Sequence, residues 1–264
     1  MSLSRTHRPT RFKEITGQPN ITETLRKQVA AGKTAHAYLF SGPRGVGKTT
    51  TARVLAKALN CERPDDGEPC GACARCRSNA EGSSIDIIEI DAASHNGVDH
   101  VRESILEHVR FTPVSNPYKL YILDEAHMLT GAAWNAMLKT LEEPPTYAIF
   151  MFATTELHKI PLTIQSRCQR YDFKRIPAEP LAARLRDLAA REGATLAPTV
   201  VDSIVRHADG CLRDAETLLG QLLTLGETNI TEDVAGFVIP VSRMPRAAQL
   251  LEALAQLVAD QAHG

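Results

Sequence analysis

Apolar and polar positions alternate along the chain with two different periods. Four apolar runs, each ended abruptly by small or polar residues, predict buried strands: HAYLF (36–40), IDIIEIDAAS (85–94), KLYILDEAHML (119–129) and AIFMFATTE (148–156). Between them run stretches of helical period. ITETLRKQVAAG follows the turn-like punctuation of HRP and GQPN, and TARVLAKALN follows a glycine-rich loop. VDHVRESILEHVRF sets Val98, Val101, Ile105 and Val109 on one helical face, and WNAMLKTLEEPP is stopped by Pro144 and Pro145. IPLTIQSRCQRYDFKRI predicts a short helix and a last strand. This alternation predicts an α/β fold with a parallel sheet covered on both faces.

The pattern changes near Pro177. Leu181, Leu185 and Leu188 align on one helix, TVVDSIVRHA predicts a second, and Leu212, Ala215, Leu218, Leu219 and Leu222 align on a third. The reading is therefore residues 1–176 as a nucleotide-binding α/β domain and 177–239 as a small helical domain. Residues 240–264 read as a linker and the first helix of a further domain, RAAQLLEALAQLVADQ, whose partners lie beyond the sequence. No internal repeat or low-complexity tract is present.

Bulk properties narrow the classes. The 264 residues are 43% apolar and 23% charged with a net charge of −1, so no whole-chain field attracts DNA or anionic membranes. The N-terminus has no apolar targeting core and no run is long enough to span a bilayer, which predicts a cytoplasmic chain with no membrane partner. In that compartment the six cysteines do not form a disulfide framework.

Residues 42–49, GPRGVGKT, match G-x-x-x-x-G-K-[ST] between a predicted strand and helix. In the loop of Gly42, Pro43, Arg44, Gly45, Val46 and Gly47 the glycines would let backbone N–H groups turn inward around phosphate oxygens. Lys48 would reach the β- and γ-phosphates, and Thr49, followed by Thr50, would face Mg²⁺. In ILDEAH, Asp124 at a strand end can hold Mg²⁺ and Glu125 can orient or deprotonate an attacking water. Together they predict ATP hydrolysis; alone, an acidic pair could simply solvate a strand end.

Cys61, Cys70, Cys73 and Cys76 are spaced C-x8-C-x2-C-x2-C. Two-residue spacers let thiolates converge on one ion, and a closed tetrahedral Zn²⁺ site is the main reading for 61–76. An iron–sulfur cluster is the rival, and idle thiols or disulfides the bland reading. The surrounding segment is Gly-, Pro- and polar-rich, so a metal clip could hold what a small apolar area cannot. Cys168 and Cys211 read as small buried side chains, and His95, His100 and His108 as surface residues. Lys159, Arg170, Lys174 and Arg175 read as a solvated face rather than a phosphate contact.

With these motifs in this order, and with IEIDAASHNGVDHVRE, NAMLKTLEEPP, FATTELHKIPLTIQSRCQRYDF and GCLRDAETLL, the chain resembles the τ/γ ATPase subunits of bacterial DNA polymerase III clamp loaders, among the AAA+ proteins. The resemblance covers nearly all of it. It implies an ATP-driven motor with Mg²⁺ and structural Zn²⁺, working with delta, delta-prime and further copies of itself to load a sliding clamp on primer–template DNA. A polymerase would be met through regions absent from this sequence, and any polymerase activity would belong to the holoenzyme. The resemblance also implies that Thr154 or Thr155 senses the γ-phosphate, that Arg167 reaches a neighbouring subunit's ATP, and that Arg213 is carried onto the same nucleotide by the helical domain. Arg8 and Pro9 would lie near the adenine, although His7 stands where an aromatic residue is expected. Two other readings remain: a DEAH-type nucleic-acid translocase, which needs a second motor domain, and a zinc-stapled scaffold that binds ATP without turnover.

Overall fold

The computed structural model describes residues 3–239. Among these, β1 (Ala37–Ser41), β2 (Ile87–Asp91), β3 (Lys119–Asp124), β4 (Ala148–Thr154) and β5 (Gln169–Asp172) form one sheet, ordered β2-β3-β4-β1-β5 and parallel throughout. Period-two alternation builds a core on each face. Tyr38, Phe40, Leu120, Ile122, Ile149 and Met151 point to one side. Leu39, Tyr121, Leu123, Phe150 and Phe152 point to the other. Helices α2 (Pro19–Ala30) and α3 (Lys48–Leu59) bury Leu25, Val54 and Leu55 in the first core, while α6 (Gly131–Glu142) buries Trp134 and Met137 in the second. The parallel connections bring the C-terminal ends of β1, β3 and β4 to one edge, where ligands bind in open α/β sheets.

Two expectations need correction. IDIIEIDAAS reads as a buried strand, yet β2 is an edge strand: within it only Ile90 is buried, and Ile85 just before it is 65% exposed. An apolar run records hydrophobicity but not whether a strand has one neighbour or two. The regular helix expected over 98–111 is instead one α-helical turn, Val98–Val101, a π-helical stretch, Arg102–Leu106, and a 3₁₀ turn, His108–Arg110. Val101, Ile105 and Val109 recur every four residues, which would drift around a regular helix by about 40° per step. The wider turn, with Glu107 N–H donating to Arg102 O at 2.9 Å, counters that drift, and all three side chains are buried.

After Pro177 come α8 (Ala178–Arg191), α9 (Pro198–Ala208), α10 (Leu212–Leu223) and the short α11 (Glu232–Ala235). A two-residue parallel pair, β6 (Thr195–Leu196) with β7 (Asn229–Ile230), links these helices, and segments this short carry no strand period in the sequence. These helices share their own core, with Leu181, Leu185, Leu188, Ile204, Leu219 and Leu222 fully buried. Leu3, from the short helix α1 (Leu3–Thr6), sits in that same core, so the first described element packs on the helices rather than on the sheet. Among the described residues the two-stranded β6–β7 pair is the sole sheet besides the first, so no second sheet of motor-domain size follows it. No helix there is long and apolar enough to cross a membrane. The helix expected beyond Pro240 lies outside the described residues.

Candidate nucleotide cleft and metal centre

At the end of β1 the chain turns through residues 42–47 into α3. Gly45 has φ +71°, and a Cβ there would lie 2.2 Å from Cys211 Sγ, so only glycine permits this approach of α10 to the loop. Leu212 N–H donates to Gly45 O at 3.0 Å, and Arg44 Nη2 donates to Asp214 Oδ1 at 2.7 Å. The helical core and the phosphate loop are thereby joined. Lys48 is 6% exposed, and its Nζ donates to the carbonyls of Gly42 (2.9 Å) and Pro43 (2.7 Å). An ammonium has three donors, so one is left for a phosphate oxygen. Burial lowers the Lys48 pKa, opposed by the nearby carboxylates of Glu125 and Asp124.

Thr49 Oγ1 donates to Asp124 Oδ2 at 2.9 Å, and Asp124 Oδ1 accepts the Glu125 N–H at 3.0 Å. Glu125 adopts φ +47°, ψ +43°, which turns it out of strand geometry. Its Oε2 accepts the Thr155 hydroxyl at 3.3 Å. Thr154 is fully buried; its Oγ1 accepts the Glu156 N–H at 3.0 Å and lies 3.2 Å from His127 Nδ1. Thr155, not Thr154, therefore faces the acidic pair. His127 is held between Glu125 and Glu156, its ring nitrogens 3.4 and 3.3 Å from their carboxylates.

A cleft of about 570 Å³ brings together Arg44–Thr50, Asp124, Glu125, Arg8, Pro9 and Arg213. Arg167 is not part of its lining. It pairs with Glu142 at 2.5 Å and donates to Thr163 O, with its side chain 31% exposed. His7 turns to Glu192 at 2.5 Å. The cleft also takes in residues that the motifs did not mark, including Arg5, Ile15, Thr16, Arg53 and Glu216. Glu216 is 7% exposed and its pKa is raised by burial. Its signal was a lone charge on the apolar face of LRDAETLLGQLL. Cys211 is buried as expected, whereas Cys168 is half-buried.

The four clustered sulfurs lie within 4.8 Å of one another, and Cys70 Sγ is 4.0 Å from Cys76 Sγ. A tetrahedral zinc with bonds near 2.3 Å sets sulfurs about 3.8 Å apart, so the donor set fits. All six cysteines are free. The Cys73 and Cys76 amides donate to the preceding ligand sulfurs at 3.4 and 3.3 Å. Amides of Ala72 and Cys73 lower the Cys70 pKa to about 6, which favours its thiolate, while burial pushes Cys76 up. α4 (Ala74–Glu81) starts on this cluster, with Cys73 as its N-cap.

The sheet order, a phosphate loop leaving β1 and an acidic pair leaving β3 define a P-loop nucleotide-binding fold of the AAA+ type. Solved structures of Thermotoga maritima RuvB share the fold: one described as a Holliday junction branch migration motor aligns with TM-score 0.63 at 16% identity, covering 89% of this chain and 72% of that one. A family model described as DNA polymerase III, delta subunit, matches residues 17–177, and the chain belongs to that family. It is 48% identical over 244 residues to DNA polymerase III subunit tau of Bacillus subtilis, covering 92% of this chain and 43% of that protein. It is 42% identical over 259 residues to the gamma/tau subunit of Mycobacterium tuberculosis, covering 97% and 44%. The chain thus spans less than half the length of these relatives.

Proposed function

We propose that this chain binds and hydrolyses ATP as a motor subunit of a DNA polymerase III clamp loader. It would act with delta, delta-prime and further copies of itself to load a sliding clamp on primer–template DNA in the cytoplasm. The observation that carries this reading is one cleft lined by Lys48, Thr49, Asp124 and Glu125 from the sheet edge and by Arg213 from α10. A triphosphate there meets groups from two packing units, so its hydrolysis can bias how they sit on each other.

Each residue then has a role. Amides of residues 44–47 and Lys48 hold phosphates, while Arg8 and Pro9 form a wall for the base. Thr49 and Asp124 would hold Mg²⁺, which offsets charge on the β- and γ-phosphates when bound. Glu125 takes the proton of the attacking water, and Thr155, hydrogen-bonded to it, senses the γ-phosphate. Arg167, away from its own cleft, serves a neighbouring subunit's ATP. Cys61, Cys70, Cys73 and Cys76 bind a structural Zn²⁺.

The test is the ATPase rate of the chain alone and with companion subunits, sliding clamp and primed DNA. A rise that depends on those partners is expected. A rate indifferent to them would sink the loader reading, and no turnover in any mixture would favour a nucleotide-binding scaffold.

A further inference from the structure

The cysteine segment reaches beyond its own sulfurs. Glu68, two residues before Cys70, places its carboxylate on consecutive amides of the N-terminal segment: Phe12 N–H donates to Oε2 at 2.8 Å and Lys13 N–H to Oε1 at 3.0 Å. These amides open the 3₁₀ turn Phe12–Glu14, where backbone donors have no partner within the turn, and a carboxylate there is a charge-assisted cap. Arg11 adds a bond from its guanidinium to Cys70 O at 3.3 Å.

On its other side the same loop is wedged against α2. Gly67 has φ +80°, and a Cβ there would lie 2.0 Å from Arg26 O. Arg26 Nη1 donates to Asp66 O at 2.9 Å and pairs with the Asp66 carboxylate. Asp65 and Glu68 exchange backbone hydrogen bonds of 3.0 and 2.8 Å, which closes the turn that presents Glu68.

The segment held in this way is the cleft wall. Arg8, Pro9, Ile15 and Thr16 line the cleft, while Phe12, 1% exposed, anchors the stretch in the core beneath the sheet. Its far end is tied to the helices, where Arg184 Nη2 donates to His7 O at 2.7 Å. Seen along the chain, residues 3–16 bridge the helical core and the sheet, and Glu68 fixes the sheet end of the bridge.

We propose that Glu68, presented by the metal-closed loop, is a positioning residue for the nucleotide: it sets the wall formed by Arg8, Pro9, Ile15 and Thr16, so closure of the cysteine cluster supports nucleotide affinity. This rests on the nucleotide-binding reading above. Glu68 is absent from the cleft lining, so its effect falls on binding rather than on the bond-breaking step.

The test measures the Kd of a fluorescent ATP analogue, and ATP KM and kcat, for the 264-residue chain and its Glu68→Ala and Glu68→Gln variants, with circular dichroism and zinc content as controls. Glu68→Ala should raise Kd and KM roughly five- to tenfold and leave kcat within about twofold. Glu68→Gln, whose amide oxygen still accepts one N–H, should recover part of the affinity. Stripping zinc from the wild type with a chelator should raise Kd similarly, with little further rise in Glu68→Ala. A folded, zinc-loaded Glu68→Ala chain with wild-type Kd overturns the proposal, as does a fall in kcat at constant KM. If Glu68→Ala does not fold, Glu68→Gln carries the same criterion, and a Kd equal to wild type overturns it. A wild-type chain that binds no analogue overturns the nucleotide reading and this one with it.

Discussion

The Thr49 hydroxyl donates to Asp124 Oδ2 across 2.9 Å, joining the first turn of α3 to the end of β3 although β4 separates β3 from β1, the strand that leads into α3. The bond draws the two groups proposed for Mg²⁺ together and aims the next residue, Glu125, from a left-handed backbone.

The role proposed for Glu125 is on the attacking water rather than on the bound phosphates, so Glu125→Gln should keep nucleotide affinity within about threefold while turnover falls roughly a hundredfold or more. Asp124→Asn should lose affinity only where Mg²⁺ is present. Equilibrium titration and single-turnover hydrolysis, with and without Mg²⁺, separate the two. Equal loss of binding in both variants would contradict the division of roles.

Contact between Cys211 Sγ and Gly45 makes a sharper prediction. Gly45→Ala puts a methyl 2.2 Å from that sulfur at φ +71°, so α10 must shift and carry Arg213 away. Nucleotide Kd should rise about tenfold or more with the fold retained. Gly45→Ala with Cys211→Ala should regain only part of this affinity, since the sulfur is removed but the backbone strain of about 1–2 kcal/mol stays. Additive losses in the double variant would show that the contact does not couple the sites.

What was legible in the sequence was local. Lys48 and Thr49 are set by one loop, and the four cysteines by their spacing. Tyr38, Leu39 and Phe40 needed only an unbroken apolar run. The rest depends on distant parts of the chain meeting. The edge position of β2 follows from strand order, and the choice of Thr155 over Thr154 from how β4 ends beside Glu125. The Glu68 cap on Phe12 joins two polar segments, neither of which carries a periodicity that could announce the other.

Zinc should be measurable directly. The native chain should carry about one zinc, released stoichiometrically by thiol modification. Cys70→Ser should reduce zinc content and lower Tm. Buried Cys76, whose pKa burial raises, would then keep its proton without an ion. Wild-type stability unaffected by a chelator, with the metal demonstrably gone, would contradict a structural metal.

Acid stability should depend on Asp86. This residue is 1% exposed and accepts the N–H groups of Val114 (2.8 Å), Ser115 (2.9 Å) and Asn116 (3.0 Å). Burial alone would raise its pKa, but the amides of Val114 and Ser115 and the Asn116 contacts together hold it below 3.8. A depressed carboxylate stabilises the fold fully above its unfolded value of about 3.9, and that contribution is lost as pH falls through the folded pKa. Asp86→Asn should therefore cost about 3 kcal/mol near pH 7, and the gap to wild type should narrow below about pH 4. Denaturant melts across that range provide the check, and a gap independent of pH would refute the assignment.

Arg167 offers the clearest test of action in trans. Its guanidinium is spent on Glu142 Oε1 and Thr163 O, both at 2.5 Å, and it does not line its own cleft. The Glu142 pair is partly exposed, so a stronger anion can displace it at small cost. A neighbouring subunit's γ-phosphate is such an anion, because charge spreads over its oxygens as the bond breaks. Arg167→Ala should leave nucleotide binding by the isolated chain intact and lower partner-stimulated turnover about a thousandfold. Glu142→Ala, which frees the arginine, should leave stimulated turnover unchanged or raise it. The decisive mixture pairs an Arg167→Ala chain with a Lys48→Ala chain. If the arginine serves a neighbour, the Lys48→Ala subunit supplies it to the intact cleft of the other, and turnover reappears. If it serves its own cleft, no ratio of the two restores activity.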